Sequence, residues 1–152
     1  MKTGKDAETP QLNSLYQQLI LEHFRTPRNK GEMDDPTVEV HMRNPTCGDE
    51  IKLMMRVEDG VIAEVKHSGQ GCSISQSAVS MMTELVKGKP IEEALAVAGR
   101  FTEMMHGDAD AAKDRSLGNL RALAGVAKFP VRVKCALLGF DALQESAKKL
   151  EE

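Results

Sequence analysis

The sequence predicts an α+β fold in which about five helices pack mainly on one face of a small, three-stranded antiparallel sheet. Between residues 38 and 65, apolar residues alternate with polar ones in three consecutive segments, which is the period of half-buried strands. The helical spacing of three to four residues occurs before and after these segments, but not among them. Strands and helices that are segregated in this way are typical of α+β domains.

The first helix is predicted to begin after Asn13, a suitable N-cap, and to end near Arg25 because Pro27 follows. Three strands are then predicted at residues 38–42, 51–57 and 61–65. The pair Asp59-Gly60 can adopt the positive backbone angles of a tight hairpin turn between the last two strands. These segments together predict an antiparallel meander.

Four helices are predicted after the sheet. The first has an apolar stripe over residues 74–85, and the second begins at Pro90. The polar segment HGDADAAKD separates them from a short helix through residues 117–123, and Pro130 begins the last helix, which runs to about Lys149. Residues 1–12 are polar and lack periodicity, so we predict a flexible N-terminal tail followed by a single domain over residues 13–150.

Composition excludes several classes of function. The chain has 152 residues, with 20 Lys and Arg against 23 Asp and Glu, and it has no basic run of the kind that contacts nucleic-acid phosphates. It has no apolar stretch of the roughly 18 residues needed to span a membrane, and its N-terminus does not resemble a signal peptide. We therefore expect a cytoplasmic protein with no nucleic-acid partner and no membrane association.

The chain contains three cysteines, an odd number that leaves at least one thiol outside any disulfide. They could be small buried hydrophobic residues, or they could carry thiol or metal chemistry. Cys47 lies with Asp49 in the loop NPTCGDE between the first two strands, Cys72 lies at the start of a helix, and Cys135 lies in the first two turns of the last helix. Because these positions are at the ends of elements rather than in their middles, they favour the second alternative.

Both outer strands can pair with the middle strand, so the loop holding Cys47 and the segment holding Cys72 can lie at the same end of the sheet. Three thiolates and a carboxylate suit zinc or iron-sulfur units rather than magnesium or calcium. Such an anionic group of ligands favours a cationic neighbour. Arg132, which lies three residues before Cys135, is the candidate, although an ordinary solvated arginine is an equal alternative.

Four segments together resemble one known family. NPTCGDEI, SGQGCSISQSAVSMMTELVKGK and FPVRVKCALLGFDAL are similar to the three cysteine blocks of the IscU, NifU N-terminal and SufU family, and YQQLILEHFRTPRNKG resembles its N-terminal motif. The chain most resembles the SufU branch. Lys134 stands where the IscU branch typically has histidine, and the stretch from Phe101 to Lys128 is longer than the corresponding link in that branch.

The resemblance implies a SufE/NifU-like fold and an iron-sulfur cluster assembly function. Cys47, Asp49, Cys72 and Cys135 would bind Zn²⁺, and Cys47, assisted by Arg132, would accept persulfide sulfur from a SufS-like cysteine desulfurase and relay it to downstream cluster assembly proteins. Such a protein would be a zinc-dependent sulfurtransferase. The alternative is a scaffold on which iron or a [2Fe-2S] cluster assembles on the same residues, and a third interpretation is a purely structural zinc domain.

The four histidines are not predicted to be ligands. His23 is expected to anchor the first helix through a hydrogen bond. His41 and His67 are expected to be exposed on the sheet, and His106 is expected to be a solvated loop residue.

Overall fold

The computed structural model describes residues 14–151. Asn13 and the predicted tail over residues 1–12 lie outside the described residues, so the division into a tail and one domain stays a prediction. In chain order, the elements are α1 (Ser14–Arg25), β1 (Val38–Asn44), β2 (Asp49–Glu58), β3 (Val61–Gln70), α2 (Ser73–Val86), α3 (Ile91–Met105), a short 3₁₀ helix (Ala111–Lys113), a long 3₁₀ segment (Arg115–Lys128) and α4 (Pro130–Leu150). The predicted class and order of elements are confirmed.

The sheet is an antiparallel meander with the strand order β1-β2-β3. Asp59 and Gly60 form the predicted hairpin turn, with φ of 54° and 77°. At the opposite end of the sheet, Asn44 pairs with Asp49, and Glu50 pairs with Gln70. The β1–β2 turn and the exit from β3 therefore lie at the same end of the sheet, as the meander predicts.

The helices cover one face of this sheet. Helix α4 packs on β1 and β2, and α2 packs on β3 and against α4. Phe101 of α3 and Phe140 of α4 stack in the core, with ring centroids 4.2 Å apart. The buried apolar residues that the sheet contributes to this core include Val38, Val40, Ile51, Leu53, Met55 and Val65.

The opposite face of the sheet is partly covered by the loop between α1 and β1. Met54 points away from the helices, yet it is fully buried. Its neighbours on that face bind this loop: Lys52 Nζ lies 2.9 Å from Glu32 Oε1, and the Arg56 guanidinium donates to the Asp34 carbonyl oxygen at 2.6 Å. The loop thus shields a strand position that alternation alone predicts to be exposed.

The prediction for His67 was wrong. His67 pairs with Leu53 and follows Val65 by two residues, so it points to the same face of the sheet as these apolar residues. It is fully buried, and its Nε2 lies 3.0 Å from the carbonyl oxygen of Arg28, to which the ring nitrogen donates. His41, on the other face, is exposed as predicted.

The short helix predicted through residues 117–123 is instead part of the long 3₁₀ segment. Gly118 interrupts this segment with φ of 51° and ψ of −129°, angles that glycine adopts without strain. Runs of 3₁₀ helix are usually short because their hydrogen-bond geometry is poor, and the break at Gly118 divides this one. In the part of the chain that the structure describes, no helix is long and apolar enough to cross a membrane.

Candidate metal centre

The turn between β1 and β2 presents Cys47 to solvent. Gly48 has φ of 74°, and its amide donates to the carbonyl oxygen of Asn44 at 2.8 Å. The Asn44 side chain accepts a further hydrogen bond from the Thr46 amide at 3.1 Å. These bonds close the turn at its base and leave Cys47 exposed at its tip.

Two buried groups meet the Cys47 thiol. Asp49 is the first residue of β2, and Cys135 lies in the second turn of α4; each is 1% exposed. The Cys47 Sγ lies 3.1 Å from Asp49 Oδ2 and 3.1 Å from Cys135 Sγ. One ligand atom from each of the three residues lies within 4.8 Å of the other two, so these atoms can share one ion.

Cys72 lies at the edge of this group, just before α2. Its amide donates to Asp49 Oδ1 at 3.0 Å, while its Sγ lies 3.8 Å from Asp49 Oδ2. The Cys72 thiol therefore contacts the carboxylate but lies outside the group of three mutually close donors. All three cysteines are free thiols.

The donor set fits a zinc ion or an iron-sulfur unit. Three of the four donors are soft sulfur atoms, which disfavour magnesium and calcium, and zinc also accepts a carboxylate oxygen. Ligand atoms that share a tetrahedral zinc ion lie roughly 3 to 4 Å apart. The distances of 3.1, 3.1 and 3.8 Å around Cys47 Sγ and Asp49 Oδ2 agree with this spacing.

The surroundings give the two buried groups opposite protonation preferences. Burial opposes ionisation of Asp49, but hydrogen bonds from Cys47, Cys135, the Cys72 amide and Ser75 outweigh it and lower the pKa of Asp49. Burial, together with hydrogen bonds to Cys47 and Asp49 and nearby negative charge, raises the pKa of Cys135. A positively charged ion at this position would favour the Cys135 thiolate.

Arg132 lies beside this cluster rather than within it. Its side chain is exposed in the first turn of α4 and has no hydrogen bond or ion pair with any residue between 14 and 151. It lines an open groove of about 520 Å³ together with Ser73, Ile74 and Phe129. Since Ser73 follows Cys72 directly, the groove adjoins the thiol cluster.

The remaining histidines lie away from the cluster. His23 Nδ1 lies 2.7 Å from the Ser80 hydroxyl of α2, which confirms the predicted anchoring hydrogen bond. Ser80 also accepts a hydrogen bond from the Arg28 amide at 2.8 Å. His106 is exposed at the end of α3, as predicted.

Sequence reasoning missed two residues that support Asp49. A Cβ atom added to Gly71 would lie 2.6 Å from Asp49 Oδ1 and in contact with the Ser75 hydroxyl. Ser75 is 1% exposed, and its hydroxyl helps to lower the pKa of Asp49. The signal in the sequence GQGCSIS is a glycine directly before Cys72 and a serine three residues after it, although spacing alone does not connect them to a carboxylate more than 20 residues away.

The chain is similar to known proteins over most of its length. The family described as NifU-like N terminal domain matches residues 15–148. A relative from Bacillus subtilis (strain 168), named zinc-dependent sulfurtransferase SufU, is 47% identical over 141 residues, which cover 92% of this chain and 94% of the relative. A relative from Streptococcus pyogenes serotype M1, named iron-sulfur cluster assembly scaffold protein IscU, is 43% identical over 138 residues, covering 91% and 86%.

A solved structure has the same architecture. It is from Fervidobacterium islandicum AW-1 and is described as an iron-sulfur cluster assembly scaffold protein for the SUF system. The two chains superpose with a TM-score of 0.78 and 30% sequence identity, over 85% of this chain and 93% of that one.

Proposed function

This chain belongs to the NifU-like N-terminal domain family, and from that premise we propose that it is an iron-sulfur cluster assembly protein of the SufU type. It would accept sulfur from the persulfide of a cysteine desulfurase and relay it to cluster assembly. The observation that carries the proposal is the convergence of Cys47, Asp49 and Cys135 on one point, with Cys72 beside them, in a chain that is 47% identical to a zinc-dependent sulfurtransferase.

We propose that Cys47, Asp49, Cys72 and Cys135 hold a zinc ion. The ion, when bound, would stabilise thiolates without changing its own oxidation state. Cys72 must move closer to Cys47 and Cys135 to complete the group of ligands, since its Sγ contacts only Asp49 Oδ2 at 3.8 Å. Because Cys72 is the N-cap residue of α2 and its side chain makes no capping bond, that side chain can turn without breaking a bond of the helix start.

Cys47 is the proposed sulfur acceptor because it is the exposed cysteine of the three and lies on a turn next to Gly48. As a proposed zinc ligand, Cys47 would be held as a thiolate, with the Asp49 carboxylate 3.1 Å from its Sγ. This thiolate would attack the outer sulfur of the partner's persulfide. A new S–S bond forms on Cys47 as the partner's S–S bond breaks, and the partner's cysteine leaves as a thiolate, so there is no net oxidation.

Arg132 is proposed to assist from the groove. Its exposed guanidinium has no acidic partner among residues 14–151, so it is available to stabilise the thiolate that leaves the partner. A SufS-like desulfurase and downstream assembly proteins are the proposed partners. A reducing compartment such as the cytoplasm would keep the three thiols available for this chemistry.

The acceptor assignment is tested with Cys47→Ala. The variant and the wild type are incubated with a desulfurase and radiolabelled cysteine, and the sulfur bound to the chain is counted after non-reducing separation. The variant should take up no label, while Thr46→Ala in the same turn should load normally. Normal loading of a folded Cys47→Ala variant would show that another cysteine accepts the sulfur.

A scaffold for a [2Fe-2S] cluster is the second candidate, and the 43% identity to a relative named as a scaffold favours it. Anaerobic purification followed by metal analysis and absorption spectroscopy separates the two. Stoichiometric zinc in a colourless protein supports the sulfur relay, whereas a brown protein containing iron and sulfide supports the scaffold. Stimulation of a desulfurase by the chain would rule out a purely structural zinc domain.

A further inference from the structure

The two oxygens of the Asp49 carboxylate have different surroundings. Oδ2 faces the thiols of Cys47 and Cys72, at 3.1 and 3.8 Å. Oδ1 accepts the hydrogen bond of the Cys72 amide at 3.0 Å, at the start of α2. Cys72 is the N-cap of this helix, and its own side chain makes no capping bond, so a carboxylate from β2 binds the helix start in its place.

Gly71 makes this approach possible. An added Cβ at this position would lie 2.6 Å from Asp49 Oδ1 and 2.9 Å from its Cγ, closer than ordinary van der Waals contact. The backbone of Gly71 does not have a positive φ. The requirement for glycine is therefore a requirement for space beside the carboxylate rather than for backbone conformation.

Ser75 closes the other side of Oδ1. Its hydroxyl lies in the first turn of α2, is buried, and would contact the same added Cβ at Gly71 that Oδ1 contacts. The hydroxyl donates to the carbonyl oxygen of Cys72 at 3.2 Å, and its presence near the carboxylate lowers the pKa of Asp49. Oδ1 thus lies between the Cys72 amide, which donates to it, and the buried Ser75 side chain, and it has little freedom to turn toward the thiols.

We propose that Gly71 and Ser75 are positioning residues that hold Asp49 Oδ1 at the start of α2, so that only Oδ2 is available to a metal ion. This inference rests on the proposed metal binding at the site. Asp49 would be a ligand through one oxygen, and its orientation would depend on the first turn of α2. Groups that orient metal ligands in this way typically change metal affinity about 10- to 100-fold when they are removed.

The test compares Ser75→Ala with Ser77→Ala. Ser77 is a matched control because it is a fully buried serine of the same helix whose hydroxyl donates to the carbonyl of Ser73 at 2.6 Å. Zinc affinity is measured by competition with a chromophoric chelator, and the stability of the metal-free proteins by urea unfolding. We expect zinc affinity to fall about 10-fold in Ser75→Ala and to stay at the wild-type value in Ser77→Ala.

A second variant acts on the same carboxylate by a different route. Gly71→Ala should also weaken zinc binding. In the double variant Gly71→Ala/Ser75→Ala, the fold loss of zinc affinity should be smaller than the product of the losses in the two single variants, because both changes act through Oδ1. Cobalt substitution provides a readout of ligand geometry: the visible absorption bands should shift in Ser75→Ala and not in Ser77→Ala.

The possible outcomes separate this inference from the proposed function. If the wild type binds neither zinc nor cobalt, the proposed metal site itself is wrong. If the wild type binds both ions and Ser75→Ala matches Ser77→Ala in affinity and in cobalt spectrum, then Ser75 only packs the helix and the positioning role is refuted. Independent, multiplicative effects of Gly71→Ala and Ser75→Ala would also contradict a shared action on Oδ1.

Discussion

At the scale of single residues, Asp49 combines two roles in one side chain. It is 1% exposed, and burial alone would raise its pKa, but the hydrogen bonds from Cys47, Cys135, the Cys72 amide and Ser75 lower it. The folded chain therefore keeps a buried negative charge next to three thiols. One carboxylate oxygen, Oδ1, interacts with the start of α2, and the other, Oδ2, faces the proposed ion.

The two roles of Asp49 can be separated by substitution. Asp49→Asn keeps an oxygen that can accept the hydrogen bond of the Cys72 amide but removes the negative charge, so zinc affinity should fall by at least about 10-fold. Urea unfolding of the metal-free protein should show a loss within about 1 kcal/mol. Asp49→Ala removes both interactions and should lower metal affinity and metal-free stability together. Equal metal-free stability of the two variants would contradict the role of Oδ1 at the helix start.

His67 is a second residue with unusual surroundings. It is fully buried, Nε2 donates to the Arg28 carbonyl, and Nδ1 has no partner among the described residues. Burial lowers the pKa of His67 from 6.5 to about 4. Between these values the unfolded chain binds a proton that the folded chain excludes, so His67 destabilises the fold as the pH falls below 6.5.

This effect predicts a measurable acid sensitivity. Lowering the pH from 7 to 5 should cost the wild type about 2 kcal/mol of unfolding free energy through His67 alone. In urea unfolding of the metal-free protein, His67→Gln should lose about 2 kcal/mol less than the wild type over this interval, since glutamine does not titrate. His41→Gln, which changes an exposed histidine, should lose as much as the wild type. If His67→Gln loses as much unfolding free energy between pH 7 and 5 as the wild type, then His67 binds its proton equally well in the folded and the unfolded chain.

At the scale of elements, the sequence predicted the sheet and most of the helices because each has its own local signal. Alternation located the strands, Asp59-Gly60 located the hairpin, and proline located the start of α4. The long 3₁₀ segment was predicted as an ordinary helix because leucines three residues apart fit both periods. The burial of Met54 and His67 depends on segments distant in sequence, which local patterns do not describe.

The contact between α2 and α4 gives a prediction at this scale, since these helices follow Cys72 and carry Cys135. A Cβ added to Gly139 of α4 would lie 3.0 Å from Val79 Cγ2 of α2. Gly139→Ala should push the helices apart and lower the unfolding free energy by about 1 to 3 kcal/mol. It should also weaken zinc binding, because the separation of Cys72 and Cys135 depends on this contact.

The control for Gly139→Ala is Gly99→Ala in α3. Gly99 is exposed, and an added Cβ there meets no atom within 4 Å. Alanine is a better helix former than glycine, so this variant should raise the unfolding free energy by about 0.5 to 1 kcal/mol and leave zinc affinity unchanged. Urea unfolding and chelator competition measure both quantities. A gain in stability in Gly139→Ala would mean that the two helices can adjust without cost.

At the scale of the whole molecule, the proposed site unites parts of the chain that are far apart in sequence. Cys47 and Asp49 lie at one end of the sheet, Cys72 at the start of α2, and Cys135 in α4. The meander predicted that Cys47 and Cys72 lie at one end of the sheet, but the position of Cys135 depends on how α4 crosses β1 and β2. Ligand chemistry and the resemblance to a family predicted that Cys135 joins the site, whereas periodicity and spacing did not.

Because the donors come from separate elements, an ion bound to them should stabilise the entire fold. A ligand present at about 100 times its dissociation constant adds about 2.7 kcal/mol to the unfolding free energy. For a chain of this size, that gain raises Tm by roughly 5 to 10 °C. Thermal unfolding followed by circular dichroism should therefore show a lower Tm after chelation and full recovery with zinc.

Magnesium at the same concentration provides the control for this measurement, since thiolates disfavour hard cations, and it should leave the Tm of the chelated protein unchanged. A chain in which Cys47, Cys72 and Cys135 are all replaced by alanine should show no response to zinc. If zinc binds stoichiometrically to the wild type without raising Tm, the unfolded chain binds the ion as tightly as the folded one. The four residues would then not form a site that depends on the fold.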